Sequence, residues 1–164
     1  MFLYLVQHAE AKSQEEDPQR DLTEKGHLDI ESVAHYLKRL DVKVKQIFHS
    51  GKARAKSTAS ILADYLQPLT GVSEASGLAP LDNPEIWAER IEKLTDDIAL
   101  VGHLPHLGKL AALLMTGDKE KTVINFQMGG VVRLRRIKAG QWISLGILSK
   151  ATSIGTRIDR SAHG

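Results

Sequence analysis

The strongest constraint on this chain is the order of its apolar segments. Short apolar runs suited to buried strands alternate with longer segments whose apolar residues repeat at helical spacing. Phe2 to Val6 is the first run. A polar stretch from Glu10 to Arg20, containing Asp17-Pro18, reads as a loop. Thr23 then stands where a helix cap is expected, and Ile30, Val33, Ala34, Leu37 and Leu40 form one helical face. Gln46 to His49 predicts a second strand, and Ala55, Ala59, Leu62, Ala63 and Leu66 predict a second helix ended by Pro68. Val72 to Ser76 suits another strand, and Pro84 to Leu94 a helix with proline in its first turn. Ile98 to Val101 is a buried strand stopping at Gly102-His103, after which Pro105 opens a helix carrying Leu107, Leu110, Ala111 and Leu114. Val131 to Ile137 and Trp142 to Leu148 are spaced as a hairpin.

This order predicts an α/β fold: a three-layer sandwich with a mostly parallel central sheet, an antiparallel edge and helices on both faces. The 164 residues form one domain over 1–150, with a polar tail over 151–164 that is expected to fray. Lys and Arg total 22 against 20 Asp and Glu, and a net charge of +2 gives no reason to expect nucleic acid. No apolar run reaches membrane-spanning length, the N-terminus lacks the features of a secretory signal, and there is no cysteine. Disulfides, thiol chemistry and cysteine metal sites are thereby excluded, and a cytoplasmic protein is the expectation.

In open α/β sheets, ligands collect beyond the carboxyl ends of the strands. Three such ends carry Gln7-His8, His49-Ser50 (leading to Arg54) and Gly102-His103. If these strands are neighbours, His8, Arg54 and His103 converge, and the set suits phosphate. Arginine offers a fork matching two phosphate oxygens, and imidazole is a nucleophile when neutral and a donor when charged. Taken singly, each is more simply a structural histidine or a solvated arginine. His103-x-x-His106 has no acidic partner and is interrupted by Pro105, so no metal is expected. Ser50-Gly51-Lys52 lacks the earlier glycine and following hydroxyl of a phosphate-binding P-loop.

Read together, His8 at a strand end, Leu22-Thr23-Glu24-Lys25-Gly26, His49-Ser50-x3-Arg54-Ala55-x2-Thr58-Ala59 and Val101-Gly102-His103-x-Pro105 resemble the histidine phosphatase superfamily, which also holds the cofactor-dependent phosphoglycerate mutases. The short chain and Gly102-His103-Leu104-Pro105-His106-Leu107 are most similar to its small SixA-type phosphohistidine phosphatases. The resemblance implies a phosphoglycerate mutase-like fold and no cofactor. It implies that His8 is the nucleophile that becomes phosphorylated, that Arg54 clamps phosphate, that His103 donates to phosphoryl oxygens and that Ser50 shapes the pocket. The implied partner is a phosphohistidine-bearing phosphotransfer protein or a small phosphorylated substrate.

The chain departs from the family pattern in places. Gln7-His8-Ala9 replaces Arg-His-Gly, so Gln7 binds phosphate with a neutral donor, and Gly51 stands where proline is common. Charged hydrogen bonds contribute about 1.5–3 kcal/mol against about 1 for neutral ones. The change predicts a slower phosphatase or an altered charge preference, with Lys12 and Lys52 as candidate replacements for the missing charge. The inserted loop that supplies a general acid in larger members has no counterpart. Asp82 and Glu85 are the nearest acids in sequence order, although a helix-start acid has a simpler reason to be there. Phosphohistidine suits such a site, because its imidazole leaves with less proton donation than an alcohol. Two other readings stay open: a phosphomonoesterase for a small metabolite, and a catalytically weak phosphate-binding or phosphoprotein-binding module.

Overall fold

The computed structural model describes residues 1–150. The tail expected over 151–164 lies outside the described residues. Six strands form one sheet: β1 (Phe2–Gln7), β2 (Gln46–His49), β3 (Val72–Glu74), β4 (Ile98–Gly102), β5 (Val131–Lys138) and β6 (Gln141–Leu148). Four helices lie between them: α1 (Glu24–Arg39), α2 (Ala53–Leu66), α3 (Pro84–Glu92) and α4 (His106–Thr116). The strand order is β3-β2-β4-β1-β5-β6. The β1/β4, β2/β4 and β2/β3 pairs are parallel, whereas β5 runs antiparallel to both β1 and β6. The single reversed strand is therefore one place in from the edge.

The period-2 alternation of the strands sorts the core into two halves. Tyr4, Val6, Ile47, Ala99 and Val101 face α1 and α2, joining Ile30, Val33, Ala34, Leu37, Ala59 and Leu62. Leu3, Leu5, Leu100, Val132 and Leu134 face the other way, with Trp87 and Ile91 of α3 and Leu107, Leu110 and Leu114 of α4. Strands buried on both faces are nearly continuous in apolar residues, which is why β1 and β4 stand out in the sequence. Each fully buried Leu or Ile contributes about 1.5–3 kcal/mol by leaving water. Leu40 departs from the expected face: it falls at the C-cap of α1 and is exposed. Helix α4 begins at His106, with Pro105 as its N-cap.

The helix starts follow local chemistry. The Thr23 hydroxyl accepts from the Gly26 N–H at 2.9 Å, and Asn83 accepts from Glu85 N–H with Pro84 in the first turn. Gly26 also permits a close approach. A Cβ there would clash with the Glu10 carbonyl oxygen and lie 2.9 Å from the Glu10 nitrogen. The same carbonyl accepts from Thr23 N–H at 3.0 Å. The segment two residues beyond His8 is thus seated on the N-terminus of α1. Gly26→Ala is expected to destabilise the protein by about 3 kcal/mol, since the backbone it meets cannot step aside. A urea midpoint indistinguishable from wild type would contradict that seating.

Candidate active site

The sheet order explains how distant residues meet. With β4 between β2 and β1, the ends Gln7-His8, His49-Ser50 and Gly102-His103 lie side by side. Gln7 pairs with Gly102 and His49 with Val101, and His8 N–H donates to the Gly102 carbonyl at 3.0 Å. The His8 and His103 rings stand 5.0 Å apart, centroid to centroid, at 52°.

His8 has a defined tautomer. Its Nδ1 lies 2.7 Å from the Ala9 carbonyl oxygen. A carbonyl can only accept, so Nδ1 carries the proton and Nε2 keeps its lone pair. Burial pushes the imidazolium below the usual histidine range. The Ala9 hydrogen bond opposes this, and the charges of Arg54 and Arg20 reinforce it. Neutral His8 is therefore the form present near pH 7. The nucleophile loop is bolted to α2 through Ala9 N–H to Thr58 Oγ1 at 3.1 Å and Thr58 Oγ1–H to the Arg54 carbonyl at 2.7 Å. On the other side, Gly129 N–H donates to the Gln7 and His8 carbonyls at 3.0 and 3.1 Å. Alanine at position 9 needs no glycine conformation, because positive φ among described non-glycine residues is confined to Arg20, Asp41 and Gln67.

His103 is 2% exposed, and its Nε2 lies 2.6 Å from Ser50 Oγ. Its Nδ1 is buried without a partner. An unpaired buried N–H is rarer than an unpaired acceptor, so the proton is assigned to Nε2, donating to Ser50. Burial, followed by the charges of His8, Arg54, Lys52 and His106, pushes His103 down to about 3. It is a neutral donor. This has a consequence for stability. Below the unfolded value of 6.5 the unfolded chain takes up a proton that folded His103 refuses until about pH 3. His8, His49 and His106 are also lowered, chiefly by burial, and act with the same sign. Stability is expected to be full above the unfolded histidine value and to decline as pH falls from about 6.5 toward 3. Urea midpoints that rise on acidification from neutral pH would contradict this.

Arg54 sits in the first turn of α2, half-buried, and no carboxylate pairs with it among the described residues. Burial and then the charge of Arg20 lower its guanidinium from its ordinary value. Arg20 is the residue that sequence reasoning missed. It lies in an irregular loop with φ of +53°, its Nε–H donating to the Lys12 carbonyl at 3.1 Å. Asp17 accepts from the Gln19 and Asp21 N–H groups, and Ala11 bridges to Leu22, which fixes that loop. The signal was only a cation between a turn and a helix cap. Of the two expected substitute cations, Lys52 adds to the charge that lowers His103, and Lys12 to the contacts that lower Asp17. Arg20 and Arg54 repel each other without a carboxylate partner among the described residues, and a bound anion would relieve that repulsion.

Gln7 stands at the end of β1 with its Oε1 buried and without a donor, so its amide NH2 is the group that can serve an anion. Gly51 has φ of +88°, and its N–H donates to His49 Nδ1 at 3.0 Å. Proline could supply neither the conformation nor the donor, so the departure at this position belongs to a different local backbone. The two acid candidates each have a partner. Glu85 pairs with Lys119 at 3.2 Å, which holds its carboxyl below the usual range. Asp82 accepts from the Ala79 N–H at 2.9 Å, and its charge opposes the lowering of His106 by burial. The expectation that either is poised to protonate a leaving group at His8 finds no supporting contact. Among the described residues, no group of three or more His, Asp or Glu is placed to hold a metal, and no helix is long and apolar enough to cross a membrane.

The model of the histidine phosphatase superfamily, branch 1, matches residues 3–89. The chain belongs to this superfamily. A relative from Picosynechococcus sp. PCC 7002, itself uncharacterized, is 36% identical over 143 residues, covering 82% of this chain and 85% of its own. As a superfamily member, the chain also shares its fold with solved structures of low identity. The protein histidine phosphatase SixA complexed with tungstate superposes with a TM-score of 0.83 at 22% identity, covering 92% of this chain and 98% of that one. A phosphoserine phosphatase of Entamoeba histolytica in complex with phosphoserine superposes with a TM-score of 0.67 at 15% identity, covering 92% and 98%.

Proposed function

We propose that this protein is a phosphatase that removes the phosphoryl group from phosphohistidine in a signalling or phosphotransfer protein of the cytoplasm. The observation that carries the reading is the His8 tautomer: a bare Nε2 beside a second buried imidazole, under the charge of two guanidiniums that no carboxylate pairs with among the described residues. His8 Nε2 attacks phosphorus in line, and the substrate's P–N bond breaks. The substrate ring, protonated on its other nitrogen, leaves as neutral imidazole. Arg54 and Arg20 neutralise the equatorial oxygens, and Ser50, the Gln7 amide and the His103 Nε2–H, which turns from Ser50 to the phosphoryl group, add hydrogen bonds. Water then attacks the same phosphorus. Its oxygen passes to inorganic phosphate, and His8 departs with its lone pair restored.

Two observations favour a phosphoramidate over an ester. Glu85 is paired with Lys119 and Asp82 accepts from the Ala79 N–H, and among the described residues neither makes a hydrogen bond to His8, which suits a leaving group that needs little protonation. Only residues 75–83 join β3 to α3, a connection too short for a large inserted lid, and a group carried on another protein needs such a lid absent. The test is loss of label from a phosphohistidine-bearing phosphotransfer domain incubated with the purified protein. Turnover of that substrate well above turnover of phosphoserine is expected. Preference for small phosphate esters would favour the metabolite phosphomonoesterase reading, and binding without turnover the weak phosphate-binding module that Gln7 suggests.

A further inference from the structure

One buried group has no role in the phosphoryl transfer described above. His106, the first residue of α4, is 1% exposed, and neither of its ring nitrogens has a hydrogen-bond partner among the described residues. A polar group buried in this way gives up its bonds to water without replacing them, and native folds hold few such groups. The helix start gives no reason for it, because Pro105 is the N-cap and a histidine in the first turn gains nothing from the helix dipole. Burial lowers His106 from the usual histidine range and the Asp82 charge opposes this, so the ring is neutral near pH 7. A neutral imidazole holds one N–H and one bare nitrogen.

His106 is thus a buried N–H without an acceptor. Three residues earlier, His103 is the reverse. With its proton on Nε2, its Nδ1 is a buried acceptor without a donor. The two residues lie on one turn, closed by Leu107 N–H to the His103 carbonyl at 2.9 Å, and the His106 charge is among those that bear on His103. Each ring offers what the other lacks. We infer that His106 is a positioning residue for His103: its N–H donates to His103 Nδ1 as the His103 Nε2–H turns from Ser50 to the phosphoryl group. That turn re-aims both nitrogens of the ring. The new bond holds the proton on Nε2, since the partner of one imidazole nitrogen sets what the other carries. Bonds of this kind often close only in the complex with substrate. The inference rests on the reading of His103 as a phosphoryl donor.

The test uses His106→Leu and His106→Asn, the second of which keeps an amide donor. His106→Leu is expected to lower kcat on a phosphohistidine-bearing phosphotransfer domain about five- to tenfold, with KM within about twofold, as befits one hydrogen bond made during the reaction. Its urea midpoint should hold or rise, because leucine removes a buried unpartnered group. His106→Asn should recover part of the rate, and His106→Leu added to His103→Ala should cost nothing further. A second readout needs no turnover. In protein labelled with ¹⁵N-histidine, tungstate, a phosphate analogue, should move the His103 Nδ1 resonance to that of a hydrogen-bonded acceptor, and His106→Leu should abolish the movement. Equal Nδ1 resonances in wild type and His106→Leu, an unchanged kcat, or a loss of the same size without His103 overturns the inference and leaves the phosphohistidine reading standing. If the resonance moves as expected but phosphohistidine is not turned over, the substrate reading fails and the His106 contact stands.

Discussion

His8→Ala is expected to lower turnover by about 10⁴-fold or more and to leave no phosphorylated protein on rapid quench. The size follows from the geometry. The Nδ1–H is committed to the Ala9 carbonyl, so Nε2 is the lone pair this ring presents. Removing it takes away the bond-forming atom, and the remaining cations can only bind phosphate. The fold should survive. His8 anchors its neighbours chiefly through its backbone, which donates to Gly102 and accepts from Gly129, and alanine keeps both bonds. Retained turnover in a natively folded His8→Ala protein would mean that another group attacks phosphorus. His103→Ala is the informative companion. It should slow the reaction while still allowing label to reach position 8.

Arg54→Ala is expected to lower kcat/KM by about 10²–10³-fold, the usual cost of losing one preorganised partner of a developing charge. Stability should not fall with it. Arg54 makes no ion pair among the described residues, and burial and Arg20 both work against its charge. Its structural bond, from Thr58 Oγ1–H, uses the backbone carbonyl and survives the substitution. Removing the guanidinium relieves repulsion, so the melting temperature should hold or rise. Arg54→Lys should recover only part of the rate, because an ammonium is a point charge without the fork. A loss smaller than about threefold, or one that tracks unfolding, would remove Arg54 from the phosphate site.

Much of this arrangement was legible before the structure. β1 and β4 announce themselves because strands buried on both faces must be apolar throughout, and the polar residues ending them then stand out as His8 and His103. Thr23 and Pro84 mark helix starts through backbone chemistry that acts locally. The sheet order, which sets β4 between β2 and β1, depends on long-range pairing that no local pattern encodes. Arg20 escaped notice for a related reason. An irregular loop has no period, and the Asp17 turn and the Ala11–Leu22 bridge hold it where the Arg20 charge reaches His8. What Gly51 contributes in place of proline lies in its φ and its bond to His49, neither of which a sequence displays. Glu85 read both as a helix-start acid and as a catalytic candidate. The Lys119 contact that favours the first comes from a residue 34 positions away.

The most direct measurement is the location of the phosphoryl group during turnover. The protein, mixed with a labelled phosphohistidine donor and quenched under alkaline conditions that preserve P–N bonds, is digested and sequenced by mass spectrometry. Phosphate on His8, formed and lost at rates that match steady-state turnover, is the predicted result. Phosphate on His103 or elsewhere, or turnover with no phosphorylated protein on the path, would contradict the account.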